Sequence, residues 1–262
     1  MTRCVRPLVA TTLFLLYSAA ASAQLAPEDS RAVSTLTQAF AVPGASTASG
    51  TQGFSGSGSI VYYWAGEEVR GSVSIRERGV DQFRLDAVLP EGTRSWAVSQ
   101  GAGSIKDSDG TSTKIRSYNA LNSGAIANPL ARIASLIKET GTQISYVGLE
   151  TAEGRLVHHV RLQPALRPDE KPLGDYAAPL KRLDVFIDSK SFLILKTQDF
   201  IHGENNVRDT YARELNFADY RLANGALLPF SVSETFAGQR TWALQLDTIS
   251  TNSGLTDSDF TL

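Results

Sequence analysis

The chain has 262 residues, of which 42% are hydrophobic and 20% are charged, and its formal net charge at pH 7 is −2. The basic residues form no long run, so the sequence lacks the electrostatic footprint of a nucleic-acid-binding protein. The length fits one large all-β domain as well as two small domains. No break in composition demands two, and we predict a single domain over residues 24–262.

The first 23 residues have the features of a secretory signal peptide. Arg3 and Arg6 precede a mostly apolar run, and Ala21-Ser22-Ala23 forms an A-x-A cleavage site. The run of roughly 15 apolar residues is short for a membrane helix, which needs about 20. We therefore predict cleavage near Ala23-Gln24, with an uncleaved anchor as the alternative. Cleavage would remove Cys4, the only cysteine, so the mature chain would be periplasmic or extracellular, with no disulfide and no lipid anchor.

A helix is predicted at the start of the mature chain. Acidic residues follow Pro27, where they complement the helix dipole, and apolar residues recur from Ala32 to Phe40 with a period near 3.6. These features predict a helix from about Pro27 to Ala39. The next segment, residues 45–58, is rich in Gly, Ser and Thr, and this composition predicts a flexible loop.

Strand patterns occupy most of the remaining chain. Residues 69–76 alternate between apolar and polar side chains, which is typical of a strand with one buried face. Similar runs continue to the C-terminal end, separated by turns such as Asp188-Ser189-Lys190 and Asn224-Gly225. We expect about eleven strands, with a spacing typical of a barrel or a sandwich. Residues 164–179 are rich in proline and charge and are expected to form an exposed loop.

A second helix interrupts the strands in the middle of the chain. Asn128 suits the N-cap, Pro129 the first helical position, and Gly141 the position just past the end. We therefore predict a helix from Pro129 to Glu139. Its apolar stripe consists of Leu130, Ile133, Leu136 and Ile137.

Motifs that carry chemistry are incomplete in this sequence. Asp107-Ser108-Asp109-Gly110 resembles a fragment of a calcium loop, but the positions that need acidic residues hold Ile105 and Arg116. His158 and His159 are adjacent on a predicted strand, so they point to opposite faces and cannot chelate one metal ion together. We expect one packed and one exposed imidazole, no metal site, no cofactor and no catalytic residues.

Two C-terminal runs carry large apolar side chains at alternate positions, which places these side chains on one face of a sheet. They are Leu228, Phe230 and Val232 on one predicted strand and Trp242, Leu244 and Leu246 on the next. This face is either part of a filled core or the wall of a cavity for an acyl chain or another apolar ligand. Because burial of one CH₂ group contributes about 0.8 kcal/mol, a long acyl chain could bind firmly without any catalytic group.

Several turn-containing segments of the C-terminal third carry a family resemblance: residues 185–192, 217–220, 224–225, 228–230 and 254–260. Together they resemble the LolA/LolB-like lipoprotein carrier superfamily of bacterial periplasms, in which lipoprotein-sorting proteins and RseB-type stress sensors are found. The resemblance implies a mainly β fold, namely a curved, unclosed antiparallel half-barrel with an N-terminal helix and a mid-chain lid helix. It also implies that the concave face holds acyl groups.

This resemblance implies a non-enzymatic periplasmic carrier or binding protein. The two C-terminal runs would be its cavity wall, and the apolar stripe of the second helix its lid. Its partners would be an apolar or acylated ligand, such as a lipoprotein, and an envelope protein, but no nucleic acid. The protein would be a monomer and would contact the membrane only transiently. Two alternatives remain open. One is a protein-interaction or stress-sensor module with a filled core, and the other is an enzyme with clustered carboxylates in a cleft.

Overall fold

The computed structural model describes residues 27–120, 122–203 and 206–262, so the predicted signal peptide lies outside the described residues. Five α-helices occur in these ranges: α1 (Pro27–Ala41), α2 (Ala45–Gly50), α3 (Ser117–Ala120), α4 (Pro129–Lys138) and α5 (Gly174–Lys181). None of the described helices is both long and apolar enough to cross a membrane.

The described residues contain thirteen strands rather than the eleven predicted, because short strands such as β5 and β6 offer too few residues for a clear alternation. The strands are β1 (Gly53–Trp64), β2 (Glu67–Arg78), β3 (Gln82–Leu89), β4 (Gly92–Ser99), β5 (Ala102–Lys106), β6 (Ser112–Ile115), β7 (Gln143–Ala152), β8 (Arg155–Gln163), β9 (Leu183–Asp188), β10 (Ile194–Gly203), β11 (Asn206–Ala223), β12 (Ala226–Phe236) and β13 (Gln239–Thr251).

All thirteen strands belong to one curved antiparallel sheet that does not close, as the resemblance implied. The order of the strands is β6-β5-β4-β3-β2-β1-β13-β12-β11-β10-β9-β8-β7. The first and last strands of the chain therefore pair in the middle of the sheet, and β6 and β7, which are consecutive in sequence, are its two edges. The connection between these edges, residues 116–142, contains α3 and α4 and is called the crossover segment below.

The two helices predicted from the sequence are confirmed. Helix α1 ends at Ala41, two residues later than predicted, and its apolar positions Ala32 and Leu36 are buried. At the start of α4, the side chain of Asn128 accepts a hydrogen bond from the backbone N–H of Ala131 at 3.2 Å, as expected for an N-cap.

The prediction of a flexible loop over residues 45–58 is wrong, because this segment forms α2 and the first half of β1. Glycine is frequent here because β1 and β13 approach each other closely. A Cβ atom on Gly58 would overlap the carbonyl oxygen of Gln245, and one on Gly56 would lie 3.0 Å from the carbonyl oxygen of Thr248. The β1–β13 ladder also shifts register between Ser57 and Gly58. The composition therefore reflects a crowded strand at a bulge.

The prediction of an exposed loop over residues 164–179 is also wrong in part. Residues 171–173 form a 3-10 turn that leads directly into α5. Helix α5 packs against β10 and β11, which gives this proline-containing segment tertiary support. The presence of Pro179 inside the helix explains why propensity alone did not indicate it.

We predict that Gly58→Ala destabilises the protein much more than Gly148→Ala. The methyl group at position 58 would overlap a backbone oxygen, so the free energy of unfolding should fall by about 3 kcal/mol, the upper part of the range for overpacking. Gly148 in β7 is a matched control, because it also lies beside a bulge but has no atom within 4 Å of its ideal Cβ position. Urea unfolding followed by circular dichroism measures both effects. Equal losses would contradict close approach as the reason for Gly58.

Candidate functional site

The six predicted wall residues lie together in the packed core. Val232 of β12 is directly opposite Leu244 of β13, which is also opposite Ile60 of β1, so the two runs share the inner face of the sheet. The six side chains are between 0% and 6% exposed and belong to one continuous cluster: Leu228, Phe230, Val232, Trp242, Leu244 and Leu246. None of them lines any of the three cavities described below.

The four predicted lid residues of α4 occupy different environments. Leu130 and Ile133 are buried in the same core cluster as the wall residues. Leu136 is half-buried; it packs against this cluster and also lines a cavity. Ile137 is 37% exposed. The structure therefore brings three of the four against the core and leaves the fourth at the surface.

A cavity of about 470 Å³ lies between α4 and α5 and is called the α4–α5 cavity. Its volume falls within the roughly 300–1,000 Å³ that is usual for ligand pockets. Its apolar lining includes Val80, Tyr118, Leu136 and Leu180.

The two other cavities are less suited to an apolar ligand. One is an open groove of about 940 Å³ along β5, β6 and the C-terminal residues Phe260–Leu262. The other is a void of about 10 Å³ beside Leu130 and Leu227, with room for one water molecule.

A network of ion pairs joins α4 and α5 and forms part of the lining of the α4–α5 cavity. The Lys181 ammonium donates to Glu139 at 3.1 Å, to the carbonyl oxygen of Ala165 at 3.0 Å and to Glu170 at 3.1 Å. Glu170 is also paired with Arg167 at 3.0 Å. The end of α4, the loop before α5 and α5 itself are thus held together by one cation whose three N–H donors are all used.

A buried ion cluster joins the middle of α4 to the sheet. Asp199 of β10 accepts from Nε of Arg213 at 2.9 Å and from its Nη2 at 2.5 Å, and it contacts Nη2 of Arg132 at 2.7 Å. Asp199 and Arg213 are 2% and 3% exposed. Burial alone would raise the pKa of Asp199, but the two guanidinium groups outweigh burial and hold this pKa below its usual value. Arg213 also donates to the carbonyl oxygen of Asn122 at 2.5 Å, so both arginines fix the crossover segment.

A second buried acid, Glu77 of β2, lies under the start of α4. Its Oε1 atom accepts from the backbone N–H of Ala127 at 2.6 Å, whereas Oε2 has no hydrogen-bond partner among the described residues. Its neighbours across the ladders are Phe54 and Phe83, which are each 1% exposed. Burial raises the pKa of the Glu77 carboxyl to about 8, although the backbone N–H groups oppose this shift. The side chain is therefore mostly neutral at pH 7.

The two adjacent histidines have separate structural roles. His159 is buried between Glu150 at 2.7 Å and Asp184 at 3.1 Å. Burial would lower its pKa, but these two carboxylates outweigh burial and raise it. One of the two rings was expected to be exposed, but His158 is half-buried and its ring hydrogen-bonds the Tyr146 hydroxyl at 2.8 Å. In the described ranges, no group of three or more His, Cys, Asp or Glu side chains could hold a metal ion.

The sequence analysis did not predict the buried ionisable residues, although the alternation of the strands indicates their positions. Glu77 continues the inward positions of Val73 and Ile75, and Arg213 precedes those of Leu215 and Phe217. A charged residue in register with an inward apolar row indicates a buried charge that needs a partner. The partner lies far away in the sequence, so the strand pattern does not reveal which residue it is.

We predict that Glu77→Gln removes a pH dependence of stability. The folded-state pKa of about 8 lies above the ordinary value of 4.5, so the neutral carboxyl stabilises the fold below about pH 5, and this contribution is lost as the pH rises to about 8. Each pKa unit corresponds to about 1.4 kcal/mol, so the loss amounts to several kcal/mol. Glutamine stays neutral and can still accept from Ala127. The gain in unfolding free energy of the variant over the wild type, measured with denaturant, should grow from about pH 5 to about pH 8. A constant difference would contradict a neutral Glu77.

Comparisons with known proteins show similarity at the level of the fold. No protein-family model and no curated protein matches the sequence. Among solved structures, a domain named for outer membrane lipoprotein sorting from Vibrio parahaemolyticus is 11% identical with a TM-score of 0.51. A DUF1329 family protein from Desulfovibrio piger is 8% identical with a TM-score of 0.52, and a LolA superfamily protein from Nitrosomonas europaea is 10% identical with a TM-score of 0.51.

Each of these three similarities covers 88% of this chain and 97% of the other chain. They therefore concern nearly the whole described sheet and its helices, and not a single hairpin or subdomain. At such low identity the likeness defines the fold and no individual site residue. The open half-barrel described above is thus the fold of LolA superfamily and outer membrane lipoprotein-sorting domains, as the sequence resemblance implied.

Proposed function

We propose that this protein is a non-enzymatic carrier or binding protein for an apolar or lipidic ligand. The observation that carries this proposal is the α4–α5 cavity, which is lined by apolar and charged side chains and has a ligand-sized volume of about 470 Å³ beside the lid helix. The similar Vibrio domain is named for lipoprotein sorting, which supports acylated proteins as one class of ligand. The predicted signal peptide supports a periplasmic location.

In this proposal the cavity is the entry to a larger site beneath α4. Leu130 and Ile133 of α4 belong to the same buried cluster as the wall residues of β12 and β13, so displacement of α4 would open this cluster to a ligand. Withdrawing these two side chains costs about 1.5–3 kcal/mol each. A chain of a dozen CH₂ groups contributes on the order of 10 kcal/mol when buried. An acyl chain can therefore offset the opening of the lid.

The contact between Arg132 and Asp199 also resists lid opening. Separating a buried ion pair costs about 3–5 kcal/mol when one charge is left uncompensated. Here Asp199 stays paired with Arg213 after α4 leaves, and Arg132 reaches solvent. Because the pair between Asp199 and Arg213 remains, separating Arg132 from Asp199 costs less than breaking an isolated buried pair. In this proposal α4 is closed without a ligand and opens when a ligand binds.

A second function is favoured by a different observation. The six wall residues are at most 6% exposed and line none of the described cavities, as expected for a protein-interaction or stress-sensor module with a filled core. Such a module would bind an envelope protein and no lipid. Native mass spectrometry of protein purified from its host membranes, with a pull-down of envelope proteins, separates these functions.

We predict that Leu136→Trp weakens binding of a fluorescent fatty-acid probe at least tenfold. Leu136 lines the α4–α5 cavity, and the larger indole would fill part of it. Lys138→Trp is a matched control, because Lys138 lies on the same helix, is exposed and does not line the cavity. Probe titration by fluorescence gives both affinities. The site is elsewhere if the two variants bind equally, and the carrier function is excluded if the wild type binds neither the probe nor a co-purifying lipid.

We also predict that a bound acyl ligand speeds amide hydrogen exchange in α4. Lid displacement would expose the helix, whereas α1, which packs against β7, would stay protected and serves as the internal reference. Hydrogen–deuterium exchange with mass spectrometry compares the two helices with and without palmitate. Unchanged exchange in α4 despite binding would confine the ligand to the α4–α5 cavity and exclude the wall residues from the site.

A further inference from the structure

We infer that the ligand of the α4–α5 cavity is a single-chain amphiphile with an anionic headgroup, a carboxylate or a phosphate monoester, and that Arg132 selects this charge. The inference rests on the proposed binding function and adds the chemical class of the ligand.

The charges around Asp199 and in the cavity lining support this inference. Two guanidinium groups, those of Arg132 and Arg213, share the single carboxylate of Asp199. The next acid beside this cluster is Glu234, whose Oε1 accepts from the hydroxyl of Thr241 at 2.5 Å. Burial raises the pKa of Glu234, and the positive charge of Arg213 opposes this shift. Among the residues that line the cavity, the three bases Arg132, Arg167 and Lys181 outnumber the two acids Glu139 and Glu170, so the lining has an excess of positive charge.

Arg132 presents its positive charge to the cavity. Arg132 lines the α4–α5 cavity and its side chain is 12% exposed, whereas neither Arg213 nor Asp199 lines it. Burial and the positive charge of Arg213 lower the pKa of Arg132, although Asp199 opposes this shift. The described ion-pair partner of Arg132, Asp199, is shared with Arg213, so an anion in the cavity would give the Arg132 guanidinium a second negative partner.

The guanidinium has the donors that such an anion needs. The described contact between Arg132 and Asp199 uses Nη2, and a guanidinium carries five N–H donors in a planar fork that suits carboxylate and phosphate oxygens. Leu136 follows Arg132 by one helical turn, so both side chains lie on the same face of α4 and line the same cavity. A headgroup at Arg132 would therefore place an acyl chain along Leu136 toward Leu180.

The ion pairs between α4 and α5 give no competing charge preference. Within the cavity lining, Lys181 and Arg167 are matched by Glu139 and Glu170, and Arg167 pairs outside the lining with Asp169 at 3.5 Å. Selection by charge thus depends on Arg132. The volume of about 470 Å³ is in the lower half of the usual range for ligand pockets and suits one acyl chain better than several.

The test compares headgroups on one chain length in the wild-type protein. Dodecanoate, dodecyl phosphate, 1-dodecanol and dodecyltrimethylammonium compete for a bound neutral fluorescent probe below their micellar concentrations. We expect the two anions to bind at least tenfold more tightly than the alcohol, and the cation to bind most weakly. The two anionic ligands also distinguish a free fatty acid from a phosphate-bearing lipid as the source of the headgroup.

Variants then assign the selectivity to one residue. In Arg132→Gln the preference for both anions over 1-dodecanol should be lost, so that the ratio of their affinities approaches one, and Asp199 keeps Arg213 as its partner. Arg70→Gln removes the same charge from an exposed site on β2 and should keep the full preference.

The outcomes separate this inference from the proposed function. Binding of all four ligands with equal affinity, or a preference for the cation, overturns the anionic headgroup and leaves the carrier function in place. No binding of any ligand overturns the carrier function itself. If Arg132→Gln does not fold, the relative affinities of the four ligands for the wild-type protein still test the anionic headgroup. Selectivity that persists in a folded Arg132→Gln would reject Arg132 as its origin.

Discussion

The pairing of β1 with β13 determines the order of the strands and therefore which strands form the edges of the sheet. It places the first and last strands side by side in the middle of the sheet, so the free edges belong to β6 and β7, which follow each other in the chain. The crossover segment, residues 116–142, must therefore connect the two edges of an open sheet. Helix α4, the proposed lid, is part of this connection, which explains why it lies over the sheet and is not an independent addition to the fold.

The polar contacts of the sheet reinforce this arrangement. Three ionisable residues at inward strand positions have partners in the crossover segment: Glu77 accepts from Ala127, Asp199 pairs with Arg132, and Arg213 donates to Asn122. Buried charges are costly unless they are paired and hydrogen-bonded. These contacts thus fix the position of the crossover segment more specifically than apolar packing alone would, and they act on β2, β10 and β11 at once.

The same contacts connect stability to the proposed binding function. The α4–α5 cavity lies where α4 is held by ions on both sides, by Asp199 toward the sheet and by Lys181 toward α5. Apolar residues of α4 contribute to the core, so the lid is also part of what stabilises the fold. A ligand that displaces α4 must replace this apolar contact with its own, which favours long acyl chains over small polar molecules.

The sequence by itself determined the local elements: the two longer helices, the alternating strands and the inward face of β12 and β13. These depend on capping residues and on periodicity within a few residues, which are visible in the chain. Three features required the tertiary structure: residues 45–58 form α2 and half of β1, Glu77, Asp199 and Arg213 contact the crossover segment, and a cavity lies between α4 and α5. These features depend on pairs that are far apart in sequence, such as Ser57 and Thr248, whose hydroxyl groups are separated by 191 positions and lie 2.9 Å apart. Local composition carries no information on such pairs, because the curvature and register of the whole sheet bring them together.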